Sequence, residues 1–501
     1  MTTGMHLRDR APIGRGIART GLILILLFGL IAVGAGYWQV VRASELSHAA
    51  DNPLVIAATR DLARGTIRDR TGQILASSRN DANGEPYRVY PDQSLAPLIG
   101  YASPVYGTAG LERAYNAELS GLGGSNSLDD LLSKLAPGRR QGDDLTVSLS
   151  LKLQEAAVKA LGRDRGAVVM LDPRTGRVLA MASTPVFDAS AIANPVTAQA
   201  AFKRTASSAG QPFLNRATMG LYVPGSVFKI VTSIAALGSG AITALTTYAQ
   251  QPAAERTGLL VSGFRIHDGH HDFTGSQALD YVQAVEVSCN IYFALTGLKT
   301  GGAALADWAS RLGFGAAIPF DLPTAASQVT NGGGSFGGGF SDAVELANAA
   351  YGQAETLVTP LQMALVAATV ANGGVEMKPE LVTGMAGPNG SRTIAPAVWQ
   401  TVMSPAVAGT IGNAMREAVE SNWGSIFTNG AAIPGIPTAG KTGTAQIGGS
   451  SEPNSWFIGY APADNPQVAI AVVVEQGGHG SARAAPIAGS LMGLWLKTLN
   501  P

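Results

Sequence analysis

The sequence predicts an α+β protein in three parts: one N-terminal transmembrane helix, a small α/β module, and a large domain whose mainly antiparallel sheet is sandwiched by helices. Three observations lead there. Residues 21–41 carry no charge and begin GLILILLFGLIAVGAG. Pairs of short apolar strands, joined by turn-forming residues, stand at both ends of the stretch from about residue 155 onward. Between those pairs lie alanine-rich helical stretches, and strands at both ends of a domain with helices between them point to one sheet covered by helices.

Composition bounds the rest. Of 501 residues, 46% are hydrophobic and 14% charged, against a usual charged share of roughly 25%. A disordered chain is excluded, and at about 150 residues per domain two to four domains are expected. Lys+Arg and Asp+Glu both number 35, so the chain carries no basic footprint and no nucleic-acid partner is expected. A single cysteine, Cys289, excludes an internal disulfide and a thiolate zinc cluster.

The uncharged run, at about 1.5 Å per residue, suits a hydrocarbon layer of about 30 Å. Arg8, Arg10, Arg15 and Arg19 precede it, opposed by Asp9 alone. The positive-inside bias therefore makes residues 1–20 a cytoplasmic tail and 21–41 a single-pass membrane anchor, with the rest of the chain outside. Tyr37 and Trp38 stand where an interfacial anchor belongs. The small residues Ala32, Gly34 and Gly36 suggest a cleaved signal peptide instead, but its apolar region runs only about 7–15 residues.

Residues 42–155 read as the small module. A polar stalk leads to Arg64-Gly65-Thr66-Ile67-Arg68-Asp69-Arg70-Thr71-Gly72 and Gln73-Ile74-Leu75-Ala76, a strand, turn and strand. Ser78-Arg79-Asn80 reads as a polar turn. A helical stretch covers 111–119, a strand 145–149 and a helix 153–161, with a boundary near 155. In the part spanning 156–501, strands 167–171 and 178–182 flank the turn Asp172-Pro173-Arg174-Thr175-Gly176. Strands 455–460 and 467–475 flank Pro462-Ala463-Asp464-Asn465-Pro466. No repeat of 20–50 residues is present.

Three motifs carry chemistry. In Pro224-Gly225-Ser226-Val227-Phe228-Lys229, Pro-Gly marks a turn ahead of the helical run 234–237, so Ser226 belongs in the first helical turn. Unpaired N–H groups and the positive dipole end favour a developing anion there. Lys229, three residues on, shares its face. Among Val227, Phe228 and Ile230 its ammonium is costly to keep charged, which lowers its pKa toward that of a useful base. A bare S-x-x-K also arises by chance on protein surfaces. Ser288-Cys289-Asn290 follows an expected helix over 279–287; the same S-x-N pattern at Ser78–Asn80 precedes Ser226 and is set aside. Lys441-Thr442-Gly443-Thr444 precedes the C-terminal strands, and an edge strand of that composition presents hydroxyls and a cation to a carboxylate, with Gly443 letting a substrate backbone approach. A second Lys299-Thr300-Gly301 ends the helical run 291–298, where Lys and Gly are ordinary stop signals.

The order S-x-x-K, S-x-N, K-T-G-T is the signature of penicillin-binding proteins and class A β-lactamases. The chain resembles the class B penicillin-binding proteins, membrane-anchored D,D-transpeptidases of peptidoglycan, from Arg64 nearly to its end. The likeness includes RGTIRDRTG, Gly110-Leu111-Glu112 with Tyr115, GAVVMLDPRTGRVLAMASTPVFD, Val358-Thr359-Pro360-Leu361-Gln362-Met363-Ala364 and Trp456-Phe457-Ile458-Gly459-Tyr460-Ala461-Pro462. It is most similar to the shorter actinobacterial-type members, without C-terminal PASTA repeats.

The resemblance implies that Ser226 attacks the carbonyl of the penultimate residue of a D-Ala-D-Ala stem peptide, with Lys229 as base. It implies that Ser288 relays a proton to the leaving amine, and that Asn290 binds the substrate peptide and holds Lys229. Lys441, Thr442 and Thr444 face the terminal carboxylate. The backbone N–H groups of Ser226 and Thr444 form an oxyanion hole, typically worth about 3–4 kcal/mol per donor. An amine then takes the acyl group, and β-lactams acylate the same serine. The resemblance further implies a polytopic glycosyltransferase of the shape, elongation, division and sporulation (SEDS) family as partner. No cofactor and no metal are expected.

The family often has Gly-Gln-Gly where Gly352-Gln353-Ala354-Glu355 stands, and His-Ala where Asn454-Ser455 stands. The adjacent histidines of His267-Asp268-Gly269-His270-His271-Asp272 stand on a Gly-containing loop and do not give the facing i, i+4 pair that a helix-borne zinc site uses. Gly332-Gly333-Gly334-Ser335-Phe336-Gly337 fits G-x-G-x-x-G by letter but follows no strand, and reads as a flexible loop near the cleft. Cys289 reads as a small buried hydrophobe, Trp456 as packing beside the active strand, and Glu112 with Asp69 and Arg70 as ordering the small module. Two other readings remain at this point. One is a hydrolase on the same scaffold, a D,D-carboxypeptidase or a serine β-lactamase; the anchor and preceding module argue against a free lactamase, which needs neither. The other is a scaffold or β-lactam sensor, for which a tail of about 20 residues offers no signalling domain.

Overall fold

The computed structural model describes residues 13–38, 64–81, 84–121, 142–268, 277–388, 390–448 and 451–499. A helix runs over Ile13–Gly36, and Ile17–Gly36 within it is long and apolar enough to cross a membrane. Residues 39–41 of the expected span lie outside the described residues.

Among the described residues the strands are numbered β1 to β17 in chain order. β1 is Ile67–Arg68, β2 Ile74–Asn80, β3 Pro86–Val89, β4 Ala102–Ser103, β5 Gly107–Thr108 and β6 Asp144–Val147. β7 is Gly166–Leu171, β8 Val178–Thr184, β9 Leu259–Val261, β10 Phe264–Ile266 and β11 Val375–Met377. β12 is Val382–Gly387, β13 Gly390–Thr393, β14 Val398–Thr401, β15 Ala439–Ala445, β16 Asn454–Ala461 and β17 Val468–Val474.

β7 and β17 are continuous apolar runs because both faces of their sheet are covered. The sheet has the order β15-β16-β17-β7-β8 and is antiparallel throughout, with Val169 opposite Ala471 and Gly443 opposite Trp456. Alternation divides its side chains. Ala167, Val169 and Leu171 join the core around the buried helix Pro360–Ala371. Val168 and Met170 pack with Leu153, Leu161, Leu491 and Trp495 from helices Leu151–Leu161 and Ala484–Leu499. The sandwich expected from the sequence is present.

The second sheet has the order β13-β12-β6-β1-β2-β3, with β1 parallel to β6 and its other pairs antiparallel. It takes strands from both sides of residue 155, since β12 and β13 extend the edge formed by β6. Ser78-Arg79-Asn80 is not a turn but the end of β2, pairing with Arg88, Tyr87 and Pro86 of β3. Its polar residues are tolerated because this strand is partly solvent-exposed. The expected helix over 111–119 is two short ones, Gly110–Ala114 and Asn116–Leu119, broken at Tyr115.

Buried Glu112 accepts from Arg64 Nε at 2.9 Å and from Arg88 Nε at 2.5 Å. Burial raises its carboxyl pKa, but the Arg88 and Arg64 guanidiniums outweigh that and hold it below the ordinary value. Asp69 Oδ1 accepts from the N–H groups of Thr71 and Gln73, and its Oδ2 from the N–H of Leu151. Arg70 lies over the Trp495 ring at 4.8 Å. These residues order the module and seat it on the larger part. A further tie is the Tyr115 hydroxyl donating to Asp321, whose second oxygen accepts from Leu381 N at 2.7 Å.

Candidate active site

The Pro-Gly turn opens a 3-10 turn, Gly225–Phe228, that continues into helix Lys229–Gly238 and leaves Ser226 half-buried at its start. Gly225 has φ 57°, and a Cβ there would lie 2.7 Å from the Thr444 carbonyl oxygen. Its N–H donates to Gly352 O at 2.8 Å. The Trp456 indole N–H donates to Val223 O at 3.0 Å, so this buried ring both packs and holds the chain ahead of Ser226.

Lys229 is fully buried. Its Nζ donates to the Ser288 carbonyl, to Asn290 Oδ1 at 2.8 Å and to Ser288 Oγ at 3.2 Å. Burial brings its pKa down to about 8, against the opposing pull of Asp268 and Cys289. Ser288 follows helix Tyr281–Glu286 and has φ 60°, a left-handed conformation costing a non-glycine residue about 1–2 kcal/mol. That reversal places Ser288 carbonyl and hydroxyl together on Lys229. Cys289 is buried as expected, and it also caps helix Asn290–Thr300, its Sγ accepting from Tyr292 N at 3.2 Å. Burial pushes its thiol pKa up.

β15 is an edge strand, and edge strands leave alternate backbone groups unpaired. Its pleat puts Lys441 and Gly443 on one face and Thr442 and Thr444 on the other. Lys441 is buried, donates to Thr442 O at 3.2 Å, and has a pKa well below the ordinary value through burial and the neighbouring Lys229 ammonium. The Thr442 hydroxyl lies 3.4 Å from that of Thr428. Gly443 makes room for a different group than the sequence suggested. A Cβ there would lie 2.8 Å from Pro224 O and 3.1 Å from Val227 Cγ1, so its missing side chain admits the nucleophile turn.

A cleft of about 1070 Å³ is lined by Ser226, Ser288, Asn290 and Thr444, so all three motifs reach one groove. Lys229, Lys441, Thr442 and Gly443 stand behind its wall. Sequence reading assigned no cleft role to the rest of the lining: Asp268 two residues beyond β10, Glu345 and Asn348 on helix Ala343–Ala349, Tyr351 and Glu355 on the following loop, and His479. The Gly352–Glu355 departure from the family pattern and the segment beginning His267-Asp268, weighed there only as a metal site, marked parts of it. The glycine loop closes on itself through Gly334 N to Gly339 O, beside cleft residue Asn331. Lys299 sits in the last turn of its helix, ended by Gly301 at φ 83°.

Glu255, Asp268 and Cys289 bring three metal-type donor atoms within 4.8 Å of one another behind the second motif. The Cys289 thiol donates to Glu255 Oε1 at 3.2 Å, and Asp268 Oδ2 accepts from Ile291 N at 3.2 Å. His270, His271 and Asp272 lie outside the described residues.

Comparison with known proteins agrees with this geometry. Residues 166–493 match the penicillin binding protein transpeptidase domain, and residues 64–145 the penicillin binding protein A dimerisation domain. The peptidoglycan D,D-transpeptidase PbpA of Mycolicibacterium smegmatis is 34% identical over 493 residues, covering 94% of this chain and 96% of that protein. The protein of the same name from Mycobacterium tuberculosis is 32% identical with the same coverage. Penicillin-binding protein A from M. tuberculosis, solved as a ceftriaxone acyl-enzyme complex, superposes with a TM-score of 0.76 at 30% identity, covering 87% of this chain and 98% of that one. The imipenem acyl-enzyme complex gives 0.75 at 30% identity, over 86% and 98%. The chain belongs to the penicillin-binding protein transpeptidase family, and its N-terminal module is of the penicillin-binding protein A type.

Proposed function

We propose that the protein is a serine-type peptidoglycan D,D-transpeptidase that is acylated by β-lactams. The observation that carries this is Lys229: fully buried, lowered to about pKa 8, and held by Ser288 and Asn290 three residues from a serine in an open cleft.

Ser226 Oγ attacks the carbonyl carbon of the penultimate D-alanine, and neutral Lys229 takes its proton. The tetrahedral oxyanion lies against the backbone N–H groups of Ser226 and Thr444, which need not reorient as charge develops. As the C–N bond breaks, the proton passes from Lys229 through Ser288 Oγ to the departing D-alanine amine. Lys229 is then neutral again, ready for the second half-reaction, in which an amine attacks the ester. Asn290 orients Lys229 and the substrate amide. Lys441 with the hydroxyls of Thr442 and Thr444 forms the side of the site that receives the terminal carboxylate, Lys441 acting from behind the strand.

Residues 156–501 make the catalytic part and 42–155 the non-catalytic pedestal in this reading. The apolar helix anchors the protein in the cell membrane with its N-terminus cytoplasmic, and the helix and pedestal engage a SEDS-family glycosyltransferase. A fluorescent penicillin is expected to label the protein, and Ser226→Ala to abolish labelling; undiminished labelling of the variant moves the nucleophile elsewhere. Incubation with a donor stem and an amine acceptor is expected to yield cross-linked product, and hydrolysis alone overturns the transferase assignment.

A further inference from the structure

A transferase of this kind needs a place for the incoming amine, and the cleft offers one carboxylate that the fold does not use. Four acids line the groove: Asp268, Asp342, Glu345 and Glu355. Three are tied to backbone or hydroxyl donors. Asp268 accepts from Ile291 N at 3.2 Å, Asp342 caps helix Ala343–Ala349, and Glu345 accepts from Thr330 Oγ1 and Ser341 N, each at 2.6 Å. Those donors hold the Glu345 carboxyl below the ordinary range despite its partial burial. Glu355 is exposed, and among the described residues no hydrogen bond or ion pair engages its carboxylate.

Its backbone is the opposite of free. Gly352 O accepts from Gly225 N at 2.8 Å, immediately before the nucleophile. Ala354 has φ 59°, reversing the chain, and Glu355 O accepts from Gln328 Nε2 at 2.8 Å. Thr356 Oγ1 donates to Val329 O at 2.9 Å, and Val358 exchanges backbone bonds with Tyr222. A pinned loop thus carries an uncommitted anion within three residues of a direct contact to the serine turn, a chain distance of at most about 11 Å. Fixed charges of this kind raise the local concentration of oppositely charged ligands.

Resting on the transpeptidase reading, we infer that Glu355 is an acceptor-side specificity residue, recruiting the ammonium of a cationic amine acceptor such as a diamino-acid side chain of a neighbouring stem peptide. The ammonium releases one proton to water, and its lone pair attacks the Ser226 ester carbon. The Oγ–C bond then breaks while the second amine proton passes through Lys229 to Ser226 Oγ, regenerating the free enzyme.

The test uses the full-length protein in detergent, with a donor stem thioester. Partition of the acyl-enzyme is measured between water, a stem peptide with a free side-chain ammonium, and hydroxylamine, which is neutral at pH 7. Glu355→Gln is expected to raise the apparent KM for the cationic acceptor about tenfold and to flatten its salt dependence. Its selectivity for the cationic acceptor over hydroxylamine falls by the same factor, and Glu355→Asp restores most of it. Equal selectivity in Glu355→Gln and the wild type overturns the inference. A wild type that penicillin does not acylate overturns the underlying reading instead. Using the ratio of two acceptors on one acyl-enzyme keeps an altered acylation rate out of the result.

Discussion

Lys229 Nζ and Asn290 Oδ1 meet at 2.8 Å, joining a helix N-terminus from the first motif to the first residue of another helix from the second. The contact fixes where the ammonium rests while burial decides how readily it gives up its proton.

The acylation rate should therefore follow the neutral fraction of Lys229. Its pKa is lowered to about 8, so that fraction grows as pH rises through this value. Stopped-flow labelling with a fluorescent penicillin is expected to rise between about pH 6 and about pH 9 and then level. Lys229→Met should cut the rate by about 100-fold or more and remove the rise.

Glu376 offers a stability test away from the cleft. On β11 it is buried, accepts from Gln400 Nε2 at 2.6 Å, and burial raises its pKa to about 8. A carboxyl raised in the fold favours the protonated form, so its contribution is full below the ordinary carboxylate range and is lost as pH climbs toward 8. Glu376→Gln is expected to change the melting temperature little at pH 4 and to raise it at pH 9, measured by scanning calorimetry.

Glu112 runs the other way. Its pKa is lowered by Arg88 and Arg64, so its contribution is present above the ordinary value and fades as the solution is acidified. Glu112→Ala leaves two inward guanidiniums without their carboxylate and should cost about 3–5 kcal/mol. Limited proteolysis is expected to cut first within the small module.

Ala354 stands at φ 59° where the resembling family often has glycine. Ala354→Gly removes left-handed strain and should stabilise by about 0.5–1 kcal/mol after the entropy of the unfolded glycine is counted. The midpoint of urea unfolding is the readout.

The sequence made the local features readable. Ser226 and Lys229 share a helix face because three residues nearly complete a turn, and β7, β8, β16 and β17 announce themselves as apolar runs between turns. What depends on distant partners was hidden. The loop bearing Tyr351 and Glu355 becomes part of the cleft through the bond between Gly225 and Gly352, a pairing without local signature. Gly443 looked like a place for substrate because the neighbouring Pro224 is more than two hundred residues away in sequence. Cys289 caps a helix with a sulfur, where caps are ordinarily sought among oxygens. Ser78–Asn80 looked like a turn because polarity outweighed the pairing that β3 supplies.

The hairpin of β12 and β13 covers an edge made by β6, which leaves the ribosome more than two hundred residues earlier. During synthesis that edge waits exposed, a template on which other nascent chains can dock. A pedestal expressed alone would keep the same raw flank, so transplanting it onto another enzyme requires grafting the late hairpin as well.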